Sequence, residues 1–281
     1  MEKYTDLHTH STASDGTFTP ERLAEAAKEA GLASIALTDH DTVEGIDRFM
    51  YAGKKFGIET IPGIELAAAY KNTELHIVGL FIDHKSDSLV RSMEYIVWER
   101  NERNLKMIKA LKRNGMDVTI EELEENAGGA IITRAHYANV LVKKGYVKNK
   151  EEAFSKYISA GKPAYVKRET LTPKKCIETI LEAGGIPVLA HATLYGYGYL
   201  EIHNLIGELK KYGLMAVETM YSTYTEKQSD EIRKICLSYG LLQSGGSDFH
   251  GLNKPDIKLG VGRGNLRIPQ LFAEEMKRGL M

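Results

Sequence analysis

Histidine and carboxylate residues recur along this chain in short motifs, each of which could contribute ligands to a metal site. The first motif is Asp6-Leu7-His8-Thr9-His10, and Asp15 follows five residues later. Further residues of the same kinds are His40, Glu65, His76, His191, Asp248 and His250. Imidazole nitrogens and carboxylate oxygens together suit divalent transition metals. So many candidates predict a site that holds more than one ion.

The His-x-His spacing of His8 and His10 carries geometric information. On a strand, residues i and i+2 point to the same face, so the two imidazoles are expected side by side, able to bind one ion. Two solvent-facing imidazoles at a strand end have no packing role, which favours metal binding over a structural role. For His76, a core histidine bonded to a neighbouring carboxylate fits the same pattern, and that alternative stays open.

Short apolar segments alternate with amphipathic ones, which predicts the elements that position these residues. Strands are expected at 4–9, 33–38, 58–64, 66–70, 74–82, 186–190, 215–219 and 241–244, with the fourth and fifth forming a hairpin. Helices between them begin with recognisable caps, as at Thr19-Pro20. Repeated strand–helix units predict a parallel sheet.

The candidate ligands fall where these predicted strands end. His8 and His10 end the first strand, Glu65 ends the third, and His191 and Asp248 follow later ones. The carboxyl ends of strands are where α/β barrels carry their active sites. A closed barrel would gather these ends around one mouth, whereas an open doubly wound sheet would spread several of them apart. The pattern therefore favours a barrel.

A central stretch departs from this alternation. Helical periodicity dominates from residue 88 to 157, with little that is typical of a strand. We therefore expect a barrel domain formed by residues 1–99 and 166–281, interrupted by a helical insertion, or cap domain, at 100–165.

Composition narrows the classes of partner. In 281 residues, 37 Lys and Arg nearly balance 38 Asp and Glu, which fits a small ligand better than long duplex nucleic acid. The start of the chain lacks a signal-peptide pattern, and no segment approaches the roughly 20 apolar residues of a membrane span. We expect a cytoplasmic protein without a membrane partner.

Residues that flank the candidate ligands invite further hypotheses. Asp39 and Asp41 are expected to orient His40 rather than to bind metal directly. The tyrosine-rich segments 195–199 and 221–224 follow strand ends. They are expected to cover the rim of the barrel, with base stacking as the alternative.

Five ordered motifs resemble those of the PHP (polymerase and histidinol phosphatase) family of metal-dependent phosphoesterases. They are residues 6–11, 38–42, 62–65, 189–191 and 246–251, spread over nearly all of the chain. The resemblance implies an α/β fold, a distorted seven-stranded (β/α) barrel of PHP type with a helical insertion. It also implies two or three divalent metal ions per chain: one bound by His8, His10, Glu65 and Asp248, one by Glu65, His76 and His191, and one by Asp15, His40 and His250.

Within the insertion, Thr133-Arg134-Ala135-His136 resembles a Gly-Arg-Pro-His element of one branch of the family. Members of that branch remove the 3′-phosphate from nucleoside 3′,5′-bisphosphates, and some also trim short RNA from its 5′ end. Thr and Ala replace the Gly and Pro here. Arg binds phosphate bidentately and helix N-termini favour anions, so we expect Arg134 and His136 to bind substrate phosphate. The structural alternative is a surface charge on a first helical turn.

The resemblance implies a phosphoric ester hydrolase that attacks phosphorus with a hydroxide bridging two ions. The mixed nitrogen and oxygen ligands favour Mn, Fe or Zn. The expected substrate is a small phosphorylated nucleotide, with short 5′-phosphorylated RNA as a related one. Arg134 and His136 would assist catalysis, and His250 is one candidate for protonating the leaving group. Histidinol-phosphate phosphatase, cyclic-phosphate diesterase and a non-catalytic metal- or nucleotide-binding protein remain as alternatives.

Overall fold

The computed structural model describes residues 2–129, 132–167 and 170–280. They form two compact units: Met1–Ser92 with Leu171–Met281, and Met93–Thr170. We call these the barrel unit and the helical unit. The boundaries expected from the sequence, at residues 100 and 165, stay a prediction.

Seven strands form one sheet in the barrel unit, and their spatial order follows the chain. They are β1 (Thr5–Asp6), β2 (Ser34–Leu37), β3 (Glu59–Tyr70), β4 (Thr73–Leu80), β5 (Ile186–Leu189), β6 (Ala216–Tyr221) and β7 (Leu242–Gly246). Backbone bonds link the two ends of the sheet: the amide of Leu7 donates to Gly245 O at 3.1 Å, and that of Asp248 to His8 O at 2.8 Å. The sheet is therefore a nearly closed barrel, and the predicted seven-stranded α/β barrel is confirmed.

The expectation of a parallel sheet is wrong at β4, which runs antiparallel to both β3 and β5. The predicted hairpin is confirmed and supplies the reason. Tyr70 pairs with Thr73 across a two-residue loop, and a loop this short can join only antiparallel strands. Lys71 in that loop has a φ of 50°, the left-handed conformation that tight hairpin turns require.

The expectation that Glu65 ends the third strand is also wrong. β3 is one continuous strand of 12 residues, and Glu65 pairs with Val78 near its middle. A carboxylate inside an apolar segment looks like a strand end when only the sequence is considered. Here the Glu65 side chain is buried among imidazoles, so the strand continues through it.

Helices pack on the outside of the sheet and fix the strand ends. In the barrel unit they are α1 (Pro20–Glu29), α2 (Ile46–Phe56), the first residues of α3 (Asp87–Arg113), α7 (Pro173–Glu182), α8 (Tyr199–Lys211), α9 (Glu226–Ser238) and α10 (Gln270–Gly279). As predicted, Thr19 caps α1, its side chain accepting a bond from the amide of Arg22. Leu23 of α1 and Phe49 of α2 pack with Leu37, which anchors the end of β2 before His40.

The helical unit contains the rest of α3, then α4 (Ile120–Ala127), α5 (Arg134–Lys143), α6 (Lys150–Ala153) and a π-helical turn at Phe154–Ile158. Its described residues contain no strand. Its core includes Met107, Leu123, Tyr137 and Leu141. Over the described part of the chain, no helix has the length and apolar character needed to cross a bilayer.

Candidate metal centre

The carboxylate of Glu65 on β3 lies among five of the predicted histidine ligands and is 1% exposed. Its Oε1 lies 2.8 Å from His76 Nδ1, 3.0 Å from His191 Nε2 and 3.3 Å from His8 Nε2. Its Oε2 lies 2.8 Å from His40 Nδ1 and 3.4 Å from His10 Nε2. Burial alone would raise the pKa of Glu65, but the positive charges of the surrounding imidazoles, His40 foremost, hold that pKa well below its usual value. Glu65 is therefore an anion shared by these rings.

Asp248, which follows β7, is a second shared carboxylate. Its Oδ1 lies 3.2 Å from His10 Nε2, 3.3 Å from His250 Nδ1 and 3.8 Å from His8 Nε2. Its Oδ2 accepts bonds at 2.6 Å from the Tyr221 hydroxyl and from Lys254 Nζ. The two oxygens thus have separate surroundings, and only Oδ1 faces the histidines.

A third group lies around Asp15, whose Oδ1 is 3.2 Å from His250 Nε2 and 3.9 Å from His40 Nε2. The charge of His40 and the bond to His250 outweigh burial and lower the pKa of Asp15. The side chains of Asp15, His40 and His76 are 26%, 22% and 22% exposed, whereas those of His8 and His10 are 1% and 0% exposed. Solvent therefore reaches the cluster from the side of Asp15, His40 and His76.

The residues fit divalent ions. Four groups have ligand atoms within 4.8 Å of one another: His10, Asp15, His40 and His250; His8, Glu65 and His191; His8, His10 and Asp248; and His40, Glu65 and His76. Buried ring nitrogens such as His10 Nδ1 and His191 Nδ1 have no hydrogen-bond partner within the described ranges. Buried polar atoms are normally satisfied, so such atoms in a cluster of ligand-type side chains suit bound cations.

All nine predicted ligands are therefore brought together, from both ends of the chain. The rings of His8 and His10 lie side by side, with centroids 5.2 Å apart, as their spacing predicted. The grouping differs from the expected one in several respects: His10 also groups with Asp15, His40 and His250, and His8 also groups with His191. His40, expected with Asp15 and His250, also contacts Glu65.

Glu218 on β6 belongs to this cluster and was missed from the sequence. Its Oε1 lies 3.1 Å from His8 Nδ1, and its Oε2 accepts the backbone N–H of His191 at 2.6 Å. A carboxylate on Nδ1 fixes the tautomer that leaves Nε2 able to bind a metal. The backbone bond holds His191 at a φ of 29°, where a side chain is strained. The one signal in the sequence was a charged residue inside the apolar segment 215–220.

The expectation that Asp39 orients His40 is wrong. Its carboxylate accepts bonds from the Ser11 amide at 2.7 Å, the Ser11 hydroxyl at 2.6 Å and the Ser14 hydroxyl at 2.5 Å. Asp41 accepts a backbone N–H from β3 at 3.1 Å. These carboxylates hold the backbone of the loop after His10 and of the strand that carries Glu65.

Gly246, the last residue of β7, leaves no room for a side chain. A Cβ there would overlap His8 Cβ and lie 2.7 Å from His8 N. We expect Gly246→Ala to lower the free energy of unfolding by about 1–3 kcal/mol, since the clash is largely with backbone. Urea denaturation would measure it. Gly279→Ala is the control, because its Cβ would meet only Leu242 Cδ1 at 4.0 Å. Equal stability of the two variants would contradict the prediction.

The tyrosines of the two rim segments are held by their hydroxyls. Tyr195 donates to Ala190 O at 2.8 Å, Tyr221 donates to Asp248, and Tyr224 accepts the amide of Thr193 at 3.4 Å. Tyr221 and Tyr224 are buried, at 3% and 4% exposure. These two rings pack behind the cluster, which supports the rim interpretation over base stacking.

Arg134 and His136 lie in the first turn of α5, in the helical unit. The Arg134 guanidinium carbon is 5.7 Å from the centroid of the Tyr165 ring. Thr133 N donates to His136 Nδ1 at 3.1 Å, which places the proton of a neutral His136 on Nε2. Both side chains are half-buried. Their roles towards substrate stay predictions.

The chain is similar to known phosphoesterases over nearly its whole length. The PHP domain family model matches residues 6–169. A 5′-3′ exoribonuclease of Haemophilus influenzae is 37% identical over 89% of this chain and 91% of its own length. A 3′,5′-nucleoside bisphosphate phosphatase of Chromobacterium violaceum is 32% identical over 87% of this chain and 86% of its own.

The fold is also similar to that of solved structures. A protein from Bifidobacterium adolescentis assigned as a metal-dependent phosphoesterase superposes with a TM-score of 0.85 at 26% identity, covering 98% of this chain and 95% of that one. The prediction of a phosphoric ester hydrolase is confirmed by these relatives together with the family match. On the same grounds, the chain belongs to the PHP domain family.

Proposed function

We propose that this protein hydrolyses the 3′-phosphate of nucleoside 3′,5′-bisphosphates, and that short 5′-phosphorylated oligoribonucleotides are a related substrate. The observation that carries the proposal is the set of five imidazoles around the Glu65 carboxylate, joined by Asp15, Asp248 and His250. Such a donor set suits a phosphoesterase centre. The similarity to the exoribonuclease and to the bisphosphate phosphatase supports the choice of substrate.

The proposed centre is trinuclear and holds Mn, Fe or Zn. In this assignment the first ion would be held by His8, His10, Glu65 and Asp248, the second by Glu65, His76 and His191, and the third by Asp15, His40 and His250. All nine residues belong to the groups whose ligand atoms lie close together. Bound divalent ions supply Lewis-acid chemistry, lowering the pKa of water and stabilising charge on phosphoryl oxygens.

The protein's own groups position this chemistry. His250 Nδ1 lies 2.9 Å from the backbone carbonyl of Asp248, which can only accept, so the ring proton is on Nδ1. Nε2 then offers its lone pair towards Asp15. One nitrogen cannot both bind an ion and deliver a proton to the leaving group, so we assign His250 to ion binding. Protonation of the leaving group then falls to water.

Arg134 and His136 are proposed to bind phosphate oxygens of the substrate. A guanidinium makes two parallel bonds to a phosphate, and the first turn of a helix attracts anions. The Nε2–H of His136 adds a third donor on the same turn. The cation–π contact of Arg134 with the Tyr165 ring positions the guanidinium without using its N–H groups.

A substrate panel with manganese-loaded protein tests this function. We expect phosphate release from adenosine 3′,5′-bisphosphate, with kcat/KM at least about tenfold above that for histidinol phosphate or a cyclic phosphate diester. A tenfold preference corresponds to a difference of about 1.4 kcal/mol in the free energy with which the site binds the competing substrates in the transition state. A 5′-phosphorylated oligoribonucleotide should also be degraded. Turnover of histidinol phosphate alone would contradict the choice of substrate.

Elemental analysis of protein purified without chelators completes the experiment. About three equivalents of Mn, Fe or Zn are expected, and chelation should abolish hydrolysis. Bound metal with no hydrolysis of any ester in the panel would support the non-catalytic alternative. A cytoplasmic location and the absence of a long duplex partner remain predictions.

A further inference from the structure

We propose that Lys254 contacts the substrate, its ammonium binding an oxygen of the phosphoryl group held at the metal centre. The inference rests on the ligand assignment proposed above and adds a residue that belongs to none of the recognised motifs. Lys254 follows the short turn Gly251–Asn253 in the barrel unit, and its Nζ lies 2.6 Å from Asp248 Oδ2. The Lys254 side chain is 39% exposed, against 6% for Asp248. It therefore lies between solvent and the cluster.

Asp248 does not need Lys254 to satisfy its buried oxygen. The hydroxyl of buried Tyr221 already donates to Oδ2 at 2.6 Å, and the opposite oxygen faces the histidines. An ammonium has three donors, and in the described structure Lys254 uses one of them, on Asp248. Because Tyr221 already satisfies Oδ2, the bond from the half-buried Lys254 is not needed to bury the Asp248 carboxylate.

The charge of the cluster indicates what the ammonium does. Four carboxylates that are not exposed contact its imidazoles: Asp15, Glu65, Glu218 and Asp248. The three divalent ions proposed above would carry six positive charges against these four negative ones, an excess of two that a single phosphate dianion would neutralise. Among the described residues, Lys254 is the one lysine or arginine in an ion pair with a member of the cluster. It adds a further positive charge, beside Asp248, for a phosphoryl group that would otherwise neutralise that excess.

Metal binding at Asp248 would also make Lys254 available to the substrate. A cation held by that carboxylate would share its charge and weaken its attraction for the ammonium. A phosphoryl oxygen can then compete for Nζ, and the flexible four-carbon stem lets the ammonium follow it. Tyr221 continues to hold Asp248 Oδ2 meanwhile.

Binding of inorganic phosphate to manganese-loaded protein tests the proposal without relying on turnover. Lys254→Met keeps most of the apolar stem and removes the charge. We expect about a tenfold rise in the phosphate dissociation constant by calorimetry, the scale of one hydrogen bond to a charged group. The KM for the bisphosphate should rise in parallel. Manganese affinity, measured against a chelator, should change by less than about twofold.

Two further variants complete the test. Lys258→Met alters an exposed lysine of the same loop and should leave phosphate affinity unchanged. Lys254→Arg should restore most of the affinity because it restores the charge. Unchanged phosphate binding in Lys254→Met would overturn the proposal. So would loss of manganese, since Lys254 would then act only by positioning Asp248. If the bisphosphate is not a substrate, the phosphate measurement still decides the role of Lys254.

Discussion

Replacing Glu65 by glutamine is expected to lower kcat/KM by at least about a thousandfold while leaving the fold intact. Glu65 is the one carboxylate in the described structure that contacts five imidazoles, and both of its oxygens are used. Glutamine removes the negative charge of the carboxylate. It also replaces one carboxylate oxygen, which faces imidazole nitrogens, with an NH₂ group that can only donate hydrogen bonds. Losing a shared ligand removes several kcal/mol of charge stabilisation, and each 1.36 kcal/mol is tenfold in rate.

Steady-state kinetics, elemental analysis and circular dichroism on the same preparation would measure this effect. Glu208→Gln is a matched control, because Glu208 accepts the hydroxyl of Tyr70, on the same strand as Glu65, at 2.7 Å and is not part of the histidine cluster. We expect it to change kcat/KM by less than about threefold. Near-normal turnover in Glu65→Gln with full metal content would show that the cluster is not the catalytic centre.

Glu218→Gln should weaken metal binding by about 10- to 100-fold, although Glu218 is not itself among the proposed ligands. Its carboxylate fixes the proton on His8 Nδ1 and holds the strained backbone of His191. Carboxylates that orient metal-binding histidines have effects of this size when replaced. Chelator competition with manganese would give the affinity, and nitrogen chemical shifts of His8 would report its tautomer.

Glu208→Gln provides the comparison for Glu218→Gln. Glu208 is a hydrogen-bonded carboxylate in the same unit, and it accepts the Tyr70 hydroxyl at 2.7 Å. Its replacement should leave metal affinity within about twofold of the original. Wild-type affinity in Glu218→Gln, with an unchanged His8 tautomer, would remove Glu218 from any role in the centre.

Local features of the fold could be predicted because their causes lie within a few residues. Thr19 and Pro20 specify the start of α1 through capping and a fixed φ, whatever surrounds the helix. The spacing of His8 and His10 places their rings together because alternation is a property of any extended strand. The types of the nine candidate ligands, and the motifs that carry them, were likewise visible in the chain.

Contacts between distant segments depended on the closed barrel. His8 and Glu218 are separated by 210 residues, and no short-range pattern links them. Lys254 is only six residues from Asp248, yet their contact depends on how the loop after β7 folds back. The position of Glu65 also depended on tertiary contacts. The sequence predicted it at a strand end, and the structure places it within β3. The chain alone determined the residue types, the caps and the order of elements, because these follow from local sterics and hydrogen bonding. The tertiary structure decided which buried charges face one another, because only packing around the whole barrel removes them from water together.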